Sequence, residues 1–268
     1  MIPLTRGNAR VKEARKLSRR SVRSERRLFL ADGPKAVAGA VDTVLPSGES
    51  CVVEVFATPA ATEQYAELAA RASRWTLVED DALASLSDSV NPAGVVAVCR
   101  FLDHPLAAAV QAIPAPRLIA VCADVRDPGN AGTVIRCADA AGADLVVLAG
   151  HSVDPYNPKT VRASVGSLFH LPIAVAPDPA GVVGDLQQAG LQVLAADGRG
   201  DVDLFGADEL LARPTAWLFG NEAWGLPAEL RERADRVVSI PIFGRAESLN
   251  LSTAAALCVY ASARAQRA

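Results

Sequence analysis

The sequence predicts an α/β protein in which a proline-containing segment joins two successive α/β units. Short apolar runs alternate with stretches of helical periodicity along the chain. Several apolar runs after residue 117 are continuous, which is typical of parallel strands covered on both faces. Half of the 268 residues are hydrophobic and 21% are charged. Each unit therefore has enough apolar residues to bury a core.

The first predicted unit spans residues 1–104. Asn8 is a good N-cap for a basic helix, and Gly33-Pro34 opens another helix with proline at its first position. The predicted strands are Leu28–Ala31, Cys51–Phe56, Trp75–Val78 and Gly94–Cys99, and the longest predicted helices are Ala9–Arg19 and Pro59–Ala72. This alternation predicts a small α/β unit.

Residues 105–116 are the predicted linker, although Leu106–Ala112 has the composition of a short helix. The second predicted unit spans residues 117–268. Its predicted strands are Leu118–Ala123, Leu145–Ala149, Ile173–Val175, Leu191–Ala195, Ala216–Gly220 and Val237–Ile240. Its predicted helices are Gly132–Ala141, Lys159–Leu168, Ala180–Ala189, Ala228–Ala234 and Ser248–Gln266. The small residues on one face of the last helix indicate either a core seam or a subunit interface.

The charge distribution indicates a polyanion partner. Residues 1–35 contain eleven basic and three acidic side chains, a net charge of +8, whereas the whole chain carries −3. A basic segment on an acidic body favours nucleic-acid binding. Its candidate RNA contacts include Arg15, Arg19 and Arg20. The alternative is a solvated tail, but several apolar residues are placed to anchor the segment to a folded body: Leu17, Leu28, Phe29 and Leu30.

The cysteines and the hydropathy pattern predict a cytoplasmic protein. Five cysteines, an odd number with no C-x-x-C pair, favour reduced thiols over a disulfide framework or a zinc site. The three histidines are scattered, so we expect no metal. We also expect no signal peptide and no membrane contact, because no apolar run approaches the roughly 20 residues of a transmembrane helix.

The first candidate functional loop is Asp127-Pro128-Gly129-Asn130-Ala131-Gly132, followed by Arg136. Its glycines permit a tight turn or close approach to a ligand. We expect Asn130 and Arg136 on either side of the helix start. The spacing is not that of a dinucleotide fingerprint, and no phosphate-binding P-loop motif occurs in the chain. The sequence therefore lacks the main support for a Rossmann dehydrogenase or a P-loop NTPase.

The second loop, Gly220-Asn221-Glu222-Ala223-Trp224-Gly225, follows an apolar strand. A glycine at position 220 leaves room for a flat ligand against the backbone. A carboxylate at the end of a buried strand needs a partner, and Arg136 or Asn130 are the candidates for Glu222. A solvated loop glutamate is the alternative.

The third loop runs over residues 240–250 and ends in Ser248-Leu249-Asn250. Ser248 is a good N-cap for the last helix. Asn250 falls in the predicted first turn, where its weak helix preference suggests a side-chain role.

Taken together and in this order, the three loops resemble the signature motifs of the SpoU (TrmH) family of RNA ribose 2′-O-methyltransferases, in the SPOUT superfamily. The stretch Asn157-Pro158-Lys159-Thr160-Val161-Arg162-Ala163-Ser164-Val165-Gly166 is also similar to members acting on large-subunit rRNA, including the thiostrepton-resistance type. The motif match covers residues 124–260. The first unit resembles, more loosely, the ribosomal-protein-like RNA-binding domain of those members.

The resemblance implies a fold and a site. The fold is a parallel SPOUT sheet with a deep trefoil knot, and the protein is a homodimer that binds S-adenosylmethionine. Gly220, Ile240 and Leu249 contact the cofactor, and Ser248 orders the third loop. Arg162 contacts RNA. The implied catalytic cluster is Asn130, Arg136, Glu222 and Asn250.

The implied reaction is S-adenosylmethionine-dependent methylation of a ribose 2′-hydroxyl, with 23S rRNA as the favoured substrate. Because a guanidinium stays protonated, Arg136 is expected to position the phosphate and stabilise the developing alkoxide rather than to act as a base. Glu222 and Asn130 are expected to hold Arg136 in place. The alternatives are a non-catalytic RNA-binding or ribosome-assembly protein and a tRNA 2′-O-methyltransferase.

Overall fold

The computed structural model describes residues 2–268, which fall into two units. The first unit contains the chain up to Leu102 together with Asp154–His170, and the second contains Asp103–Val153 and Leu171–Ala268. The division expected from sequence differs in two segments: it assigned residues 154–170 to the C-terminal domain and residues 105–116 to a linker, whereas the first segment belongs to the first unit and the second segment to the second unit.

The helices and strands alternate along the chain, as expected. The strands are β1 (Leu28–Asp32), β2 (Val52–Ala57), β3 (Trp75–Leu77), β4 (Val95–Arg100), β5 (Leu118–Ala123), β6 (Leu145–Ala149), β7 (Ile173–Ala176), β8 (Gln192–Ala196), β9 (Val202–Asp203), β10 (Thr215–Phe219) and β11 (Arg236–Ser239). The α-helices are α1 (Ala9–Arg15), α2 (Arg20–Arg26), α3 (Pro34–Asp42), α4 (Pro59–Gln64), α5 (Ala66–Arg71), α6 (Asp80–Ala84), α7 (Leu106–Gln111), α8 (Pro128–Ala141), α9 (Pro158–Ser164), α10 (Pro179–Gln188), α11 (Asp208–Leu211), α12 (Ala228–Glu232) and α13 (Leu251–Ala265).

The first unit is built on a four-stranded sheet of order β1-β4-β2-β3. Strand β4 is antiparallel to both β1 and β2, while β3 is parallel to β2. The basic N-terminal segment belongs to this fold, since Val11, Ala14 and Leu17 are buried in a core with Phe56 and other sheet residues. The expected anchoring of the segment through its apolar residues is therefore confirmed.

Residues 154–170 join the first unit through an ion pair and an aromatic cluster. The guanidinium of Arg23 donates to Asp154 Oδ2 through Nε at 3.0 Å and Nη2 at 2.7 Å. The Tyr156 ring stacks on Phe101 with 3.9 Å between centroids and lies 4.6 Å from the Phe29 ring. These partners are distant in sequence, which explains why periodicity alone did not assign the segment.

The second unit is a seven-stranded sheet of order β7-β6-β5-β10-β8-β11-β9. All of its registered strand pairs are parallel. Every residue of β5, β6 and β10 is buried, as the continuous apolar runs predicted. In parallel sheets the carboxyl ends of neighbouring strands share an edge. The loops after β5, β10, β8 and β11 therefore emerge side by side.

Several helix bounds differ from the prediction: α1 ends at Arg15 rather than Arg19, and α9 ends at Ser164 rather than Leu168. Three further differences have local reasons. The helix expected over Pro59–Ala72 is interrupted at Tyr65, whose ψ of 40° is not helical. Helix α8 begins at Pro128 rather than Gly132, because Asp127 caps it by accepting from the Asn130 N–H. Helix α13 begins at Leu251, since Asn250 rather than Ser248 is its N-cap. Elements that the periodicity missed are short: α2, α6, α11 and β9.

Two further observations concern the cysteines and the apolar character of the helices. The five cysteines are free thiols, and four of them are buried. None of the helices formed by residues 2–268 combines the length and the apolar character needed to cross a membrane.

Candidate active site

One cavity in the second unit is lined by the second and third polar loops, and hydrogen bonds from Asn130 tie the first loop to them. The cavity has a volume of about 600 Å³ and is lined by the loop after β10, the loop after β11 and the start of α13. Ligand pockets in proteins typically have volumes of about 300–1,000 Å³. The position matches the rule that parallel α/β sheets bind ligands at the carboxyl ends of their strands.

Glu222 joins the second loop to the first. Its Oε2 accepts the backbone N–H of Arg126 at 3.1 Å, and its Oε1 accepts that of Asp127 at 3.0 Å. Oε1 also accepts from Asn130 Nδ2 at 3.2 Å. Partial burial by itself raises the pKa of this carboxyl, but the N–H donors outweigh it and lower the pKa below its usual value. Glu222 is therefore held as a carboxylate.

Asn130 connects Glu222 to the third loop. Its Oδ1 accepts from Asn250 Nδ2 at 3.1 Å, while Asn250 Oδ1 caps α13 by accepting from the Ser252 N–H at 2.9 Å. A continuous hydrogen-bonded chain thus runs Glu222–Asn130–Asn250–Ser252. The structure brings together three of the four predicted catalytic residues.

Arg136 does not join this chain. Its side chain is exposed, and it makes no hydrogen bond or ion pair within residues 2–268. Both Asn130 and Arg136 lie on α8, rather than on either side of its start. Six residues along an α-helix correspond to directions about 120° apart, so the two side chains leave different faces. The expected support of Arg136 by Glu222 and Asn130 is absent from this structure.

Gly220, Ile240 and Leu249, the predicted cofactor contacts, all line the cavity. The reason for glycine at position 220 differs from the expectation. A Cβ there would overlap the backbone of Gly225, which closes the loop through paired hydrogen bonds with Asn221. Glycine is required because the loop folds tightly onto itself. Ser248 also lines the cavity but has no capping role.

Two contributors to the site escaped sequence reasoning. Asn221 is buried, and its Nδ2 donates to the Asp124 carbonyl at 2.7 Å, which ties the second loop to the end of β5. Asp197 follows β8, lines the cavity and forms an ion pair of 3.3 Å with Arg231. The Asp197-Gly198-Arg199-Gly200 turn after a predicted strand was a signal that could have identified this fourth loop.

The predicted RNA contacts lie in the first unit and differ in accessibility. Arg19 and Arg20 are exposed, and Arg15 is half-buried; none of the three has an ion-pair partner among residues 2–268. Arg162 is half-buried on α9, with its charge near the Asp32 carboxylate. Its Nη1 is buried and makes no hydrogen bond within the described chain. Arg162 is therefore less accessible to a large ligand than Arg19 and Arg20.

Two family models match the chain over its two units. Residues 117–260 match the SpoU rRNA Methylase family, and residues 8–97 match an MRM3-like substrate binding domain.

Curated and solved relatives agree with this assignment. The chain is 31% identical over 253 residues to the 23S rRNA (guanosine(2553)-2′-O)-methyltransferase RlmP of Bacillus subtilis, covering 94% of this chain and 95% of the relative. Among solved structures, an AdoMet-bound rRNA methyltransferase from Sinorhizobium meliloti superposes with a TM-score of 0.80 at 34% identity, over 96% of this chain and 95% of the other. The SpoU methyltransferase AviRb from Streptomyces viridochromogenes, in complex with AdoMet, gives 0.82 at 32% identity, over 97% and 99%.

The fold, the cavity and these matches define an S-adenosylmethionine-dependent RNA 2′-O-methyltransferase. The chain belongs to the SpoU rRNA methylase family.

Proposed function

We propose that this protein methylates a ribose 2′-hydroxyl of 23S rRNA with S-adenosylmethionine, at the cavity lined by the second and third loops. The observation that carries the proposal is the hydrogen-bonded chain Glu222–Asn130–Asn250, which links all three loops beside a cavity of small-ligand size. A long-range polar chain between loops indicates a site that is held in a defined geometry.

Gly220, Ile240 and Leu249 would hold the cofactor. They present backbone and apolar surface to the cavity, which suits an adenosyl group, and the polar lining residues Asp197, Ser248 and Asn250 suit its charged and hydroxylated parts. When bound, S-adenosylmethionine supplies an electrophilic methyl group on a sulfonium centre.

The residues of the chain have distinct proposed roles. Glu222 and Asn250 are positioning residues that fix the first and third loops through Asn130. Arg136 donates hydrogen bonds to the phosphate and to the developing alkoxide of the attacking ribose, because its guanidinium stays protonated. The hydroxyl proton would pass to solvent water, because a protonated guanidinium has no lone pair to accept it.

A homodimer is part of the proposal. Arg136 leaves α8 on a different face from Asn130, so in a pair of copies it is free to serve the site of the partner. The second unit also exposes apolar side chains on and near α13, where Leu257, Tyr260 and Phe205 line a shallow depression. Such patches mark association surfaces. The trefoil knot implied by the family remains a prediction.

The first unit would bind the rRNA. Arg19 and Arg20 are exposed without counter-charges within the described chain, which leaves them available to phosphates. Because ribosomal RNA is the proposed substrate, we place the protein in the cytoplasm.

The first experiment combines calorimetry with mapping of methylated riboses. Titration with S-adenosylmethionine should give saturable binding near one cofactor per chain, and incubation with an unmodified 23S rRNA transcript should add one 2′-O-methyl group. Asn130→Ala removes the central link, so it should lower turnover about tenfold, since a lost hydrogen bond in a network costs roughly 1–1.5 kcal/mol. A folded protein that binds no cofactor would contradict the proposal. Methylation confined to tRNA would show that tRNA, rather than 23S rRNA, is the substrate.

Mixing two impaired variants tests the dimer. The activity of co-expressed Arg136→Ala and Asn130→Ala chains should exceed the average of the two separate variants, because one mixed site retains both wild-type side chains. No excess over that average in a dimeric mixture would place Arg136 in the site of its own chain.

A further inference from the structure

Trp224 is an aromatic side chain exposed at the candidate site. It is 57% exposed, whereas Trp217 is buried and Trp75 is half-buried with its indole N–H donated to Thr62. Trp224 also lines the cavity. A large aromatic ring that is exposed at the wall of the cavity offers a stacking face to a ligand.

Arg126 provides the second half of this surface. Its guanidinium lies over the Trp224 ring, 5.5 Å from the centroid. The side chain is exposed and has no ion-pair partner within residues 2–268. Its charge is therefore available to an anionic ligand while its planar group remains against the indole.

Glu222 connects the backbone segments that carry Trp224 and Arg126 to the catalytic cluster. Trp224 follows Glu222 by two residues in the same tight loop, and the Arg126 backbone N–H donates to Glu222 Oε2 at 3.1 Å. The aromatic–cation pair thus flanks the carboxylate that organises the first and second loops. A ligand bound on this pair would lie next to Asn130.

The chemistry of the pair matches a nucleotide better than the cofactor. An indole face stacks on any base, and a guanidinium binds the adjoining phosphate. RNA carries a negative charge at each phosphate, whereas S-adenosylmethionine carries a net positive charge that Arg126 would repel. Trp224 lines the cavity, so a nucleotide stacked on it would lie beside the cavity.

We propose that Trp224 and Arg126 form a platform that stacks the base and binds the phosphate of the RNA nucleotide entering the site. This inference rests on the proposed function and specifies how that site selects an unpaired nucleotide. A base can stack on Trp224 only when it has left its helix, so the platform favours single-stranded loops of the RNA.

Tryptophan fluorescence tests the platform without requiring activity. A short single-stranded oligouridylate should quench the emission of the wild-type protein, and an abasic oligomer of the same length should quench it much less. Trp224→Phe should remove the quenching, while Trp75→Phe, in the first unit, should keep it. Equal quenching by both oligomers, or quenching that survives Trp224→Phe, would overturn the proposal.

Steady-state kinetics on an unmodified 23S rRNA transcript provide the functional test. Trp224→Ala should raise the KM for RNA by about 5- to 150-fold, the range that corresponds to loss of one stacked base. Trp224→Phe should retain most of the affinity, and Arg126→Gln should raise the RNA KM and weaken its salt dependence. In Trp224→Ala and Arg126→Gln the affinity for S-adenosylmethionine should change much less than the RNA KM, and the melting temperature should not change in any of the three variants.

Three results would overturn the platform. If Trp224→Ala weakens cofactor binding by the same factor and leaves the RNA KM unchanged, Trp224 is a cofactor contact. If the variant dissociates a dimer in sedimentation, the ring is a subunit contact. If the wild-type protein methylates RNA and Trp224→Ala does so equally well, only the platform fails, whereas a wild-type protein with no cofactor binding and no methylation contradicts the proposed function itself.

Discussion

Arg23 in the first unit and Arg136 in the second are both arginines on helices, but their surroundings are opposite. Arg23 is 2% exposed, and its guanidinium donates to Asp154 and to the carbonyls of Leu17 and Ser18. Arg136 is exposed and has no partner within residues 2–268. An arginine whose donors are all satisfied internally stabilises the fold, and one left without a counter-charge is available to an external anion.

The same contrast applies to the acidic residues. Burial raises the pKa of Asp32 in the first unit, and neither the Ser87 hydroxyl nor the nearby Arg162 charge reverses that effect. In the second unit, burial acts on Glu222 in the same direction, but the backbone donors of the first loop and Asn130 outweigh it. The negative charge of Glu222 is thus stabilised by the same hydrogen bonds that join the first and second loops.

The largest expected effect is on stability, in Arg23→Ala. This change leaves Asp154 buried without its counter-charge, so we expect the free energy of unfolding to fall by about 3–5 kcal/mol in urea titrations. The double variant Arg23→Met/Asp154→Leu is the matched control and should recover most of the loss. A decrease below about 1 kcal/mol for the single variant would show that the pair does not hold residues 154–170 in the first unit.

Arg136→Ala should show the opposite pattern, with intact stability and lost turnover. Removing one donor that stabilises charge in a transition state typically costs about 10²–10³-fold in kcat. Arg136→Lys keeps the charge but not the planar fork, so it should recover only part of the rate. Wild-type turnover in Arg136→Ala on rRNA would remove Arg136 from the mechanism.

A smaller effect is expected for the double variant Arg19→Ala/Arg20→Ala, which removes two exposed charges of the first unit. RNA affinity should fall, and the slope of log affinity against log salt should decrease in magnitude by about 2. Arg233→Ala, an exposed arginine of the second unit, is the control and should leave the slope unchanged. An unchanged slope in the double variant would show that these arginines do not contact phosphate.

The smallest effects are the pH dependences of the two carboxylates, and they have opposite signs. The pKa of Glu222 is lowered in the folded protein, so its stabilisation is present above its ordinary value of 4.5 and is lost as the pH falls through the folded pKa. Glu222→Gln should therefore be less stable than wild type at neutral pH, with the difference shrinking below about pH 4.5.

The pKa of Asp32 is raised above its ordinary value of 3.8, so its ionisation destabilises the fold as the pH rises through the folded pKa. Asp32→Asn should be more stable than wild type at neutral pH, and this gain should disappear as the pH falls towards 3.8. Thermal unfolding of both variants between acid and neutral pH measures the two differences. Stability changes of the same sign in Glu222→Gln and Asp32→Asn at neutral pH would contradict the predicted difference between the two carboxylates.

Local chemistry determined much of the architecture. Strands β5 and β6 match the predicted Leu118–Ala123 and Leu145–Ala149, because a strand buried on both faces in a parallel sheet is a continuous apolar run. The three loops were also evident, since each places polar residues and glycine directly after an apolar run. The convergence of their side chains followed from the common edge of a parallel sheet.

The helix starts were predicted less well because several residues near each start are able to act as caps. Ser248 and Asn250 both have side chains that accept a backbone N–H, and only the path of the third loop selects Asn250. Because Asp127 is the N-cap, α8 starts at Pro128, four residues before the predicted Gly132. Asn130 and Arg136 therefore lie on the same helix.

The sequence by itself determined the fold class, the order of the elements, the polar residues of the site and the family. Only the tertiary structure decided that residues 154–170 pack with the first unit, that Glu222 binds Asn130 and two backbone N–H groups, and that Arg136 points away from them. The reason is physical: apolar periodicity and capping act over a few residues, whereas ion pairs and hydrogen bonds join groups about 90–130 positions apart along the chain.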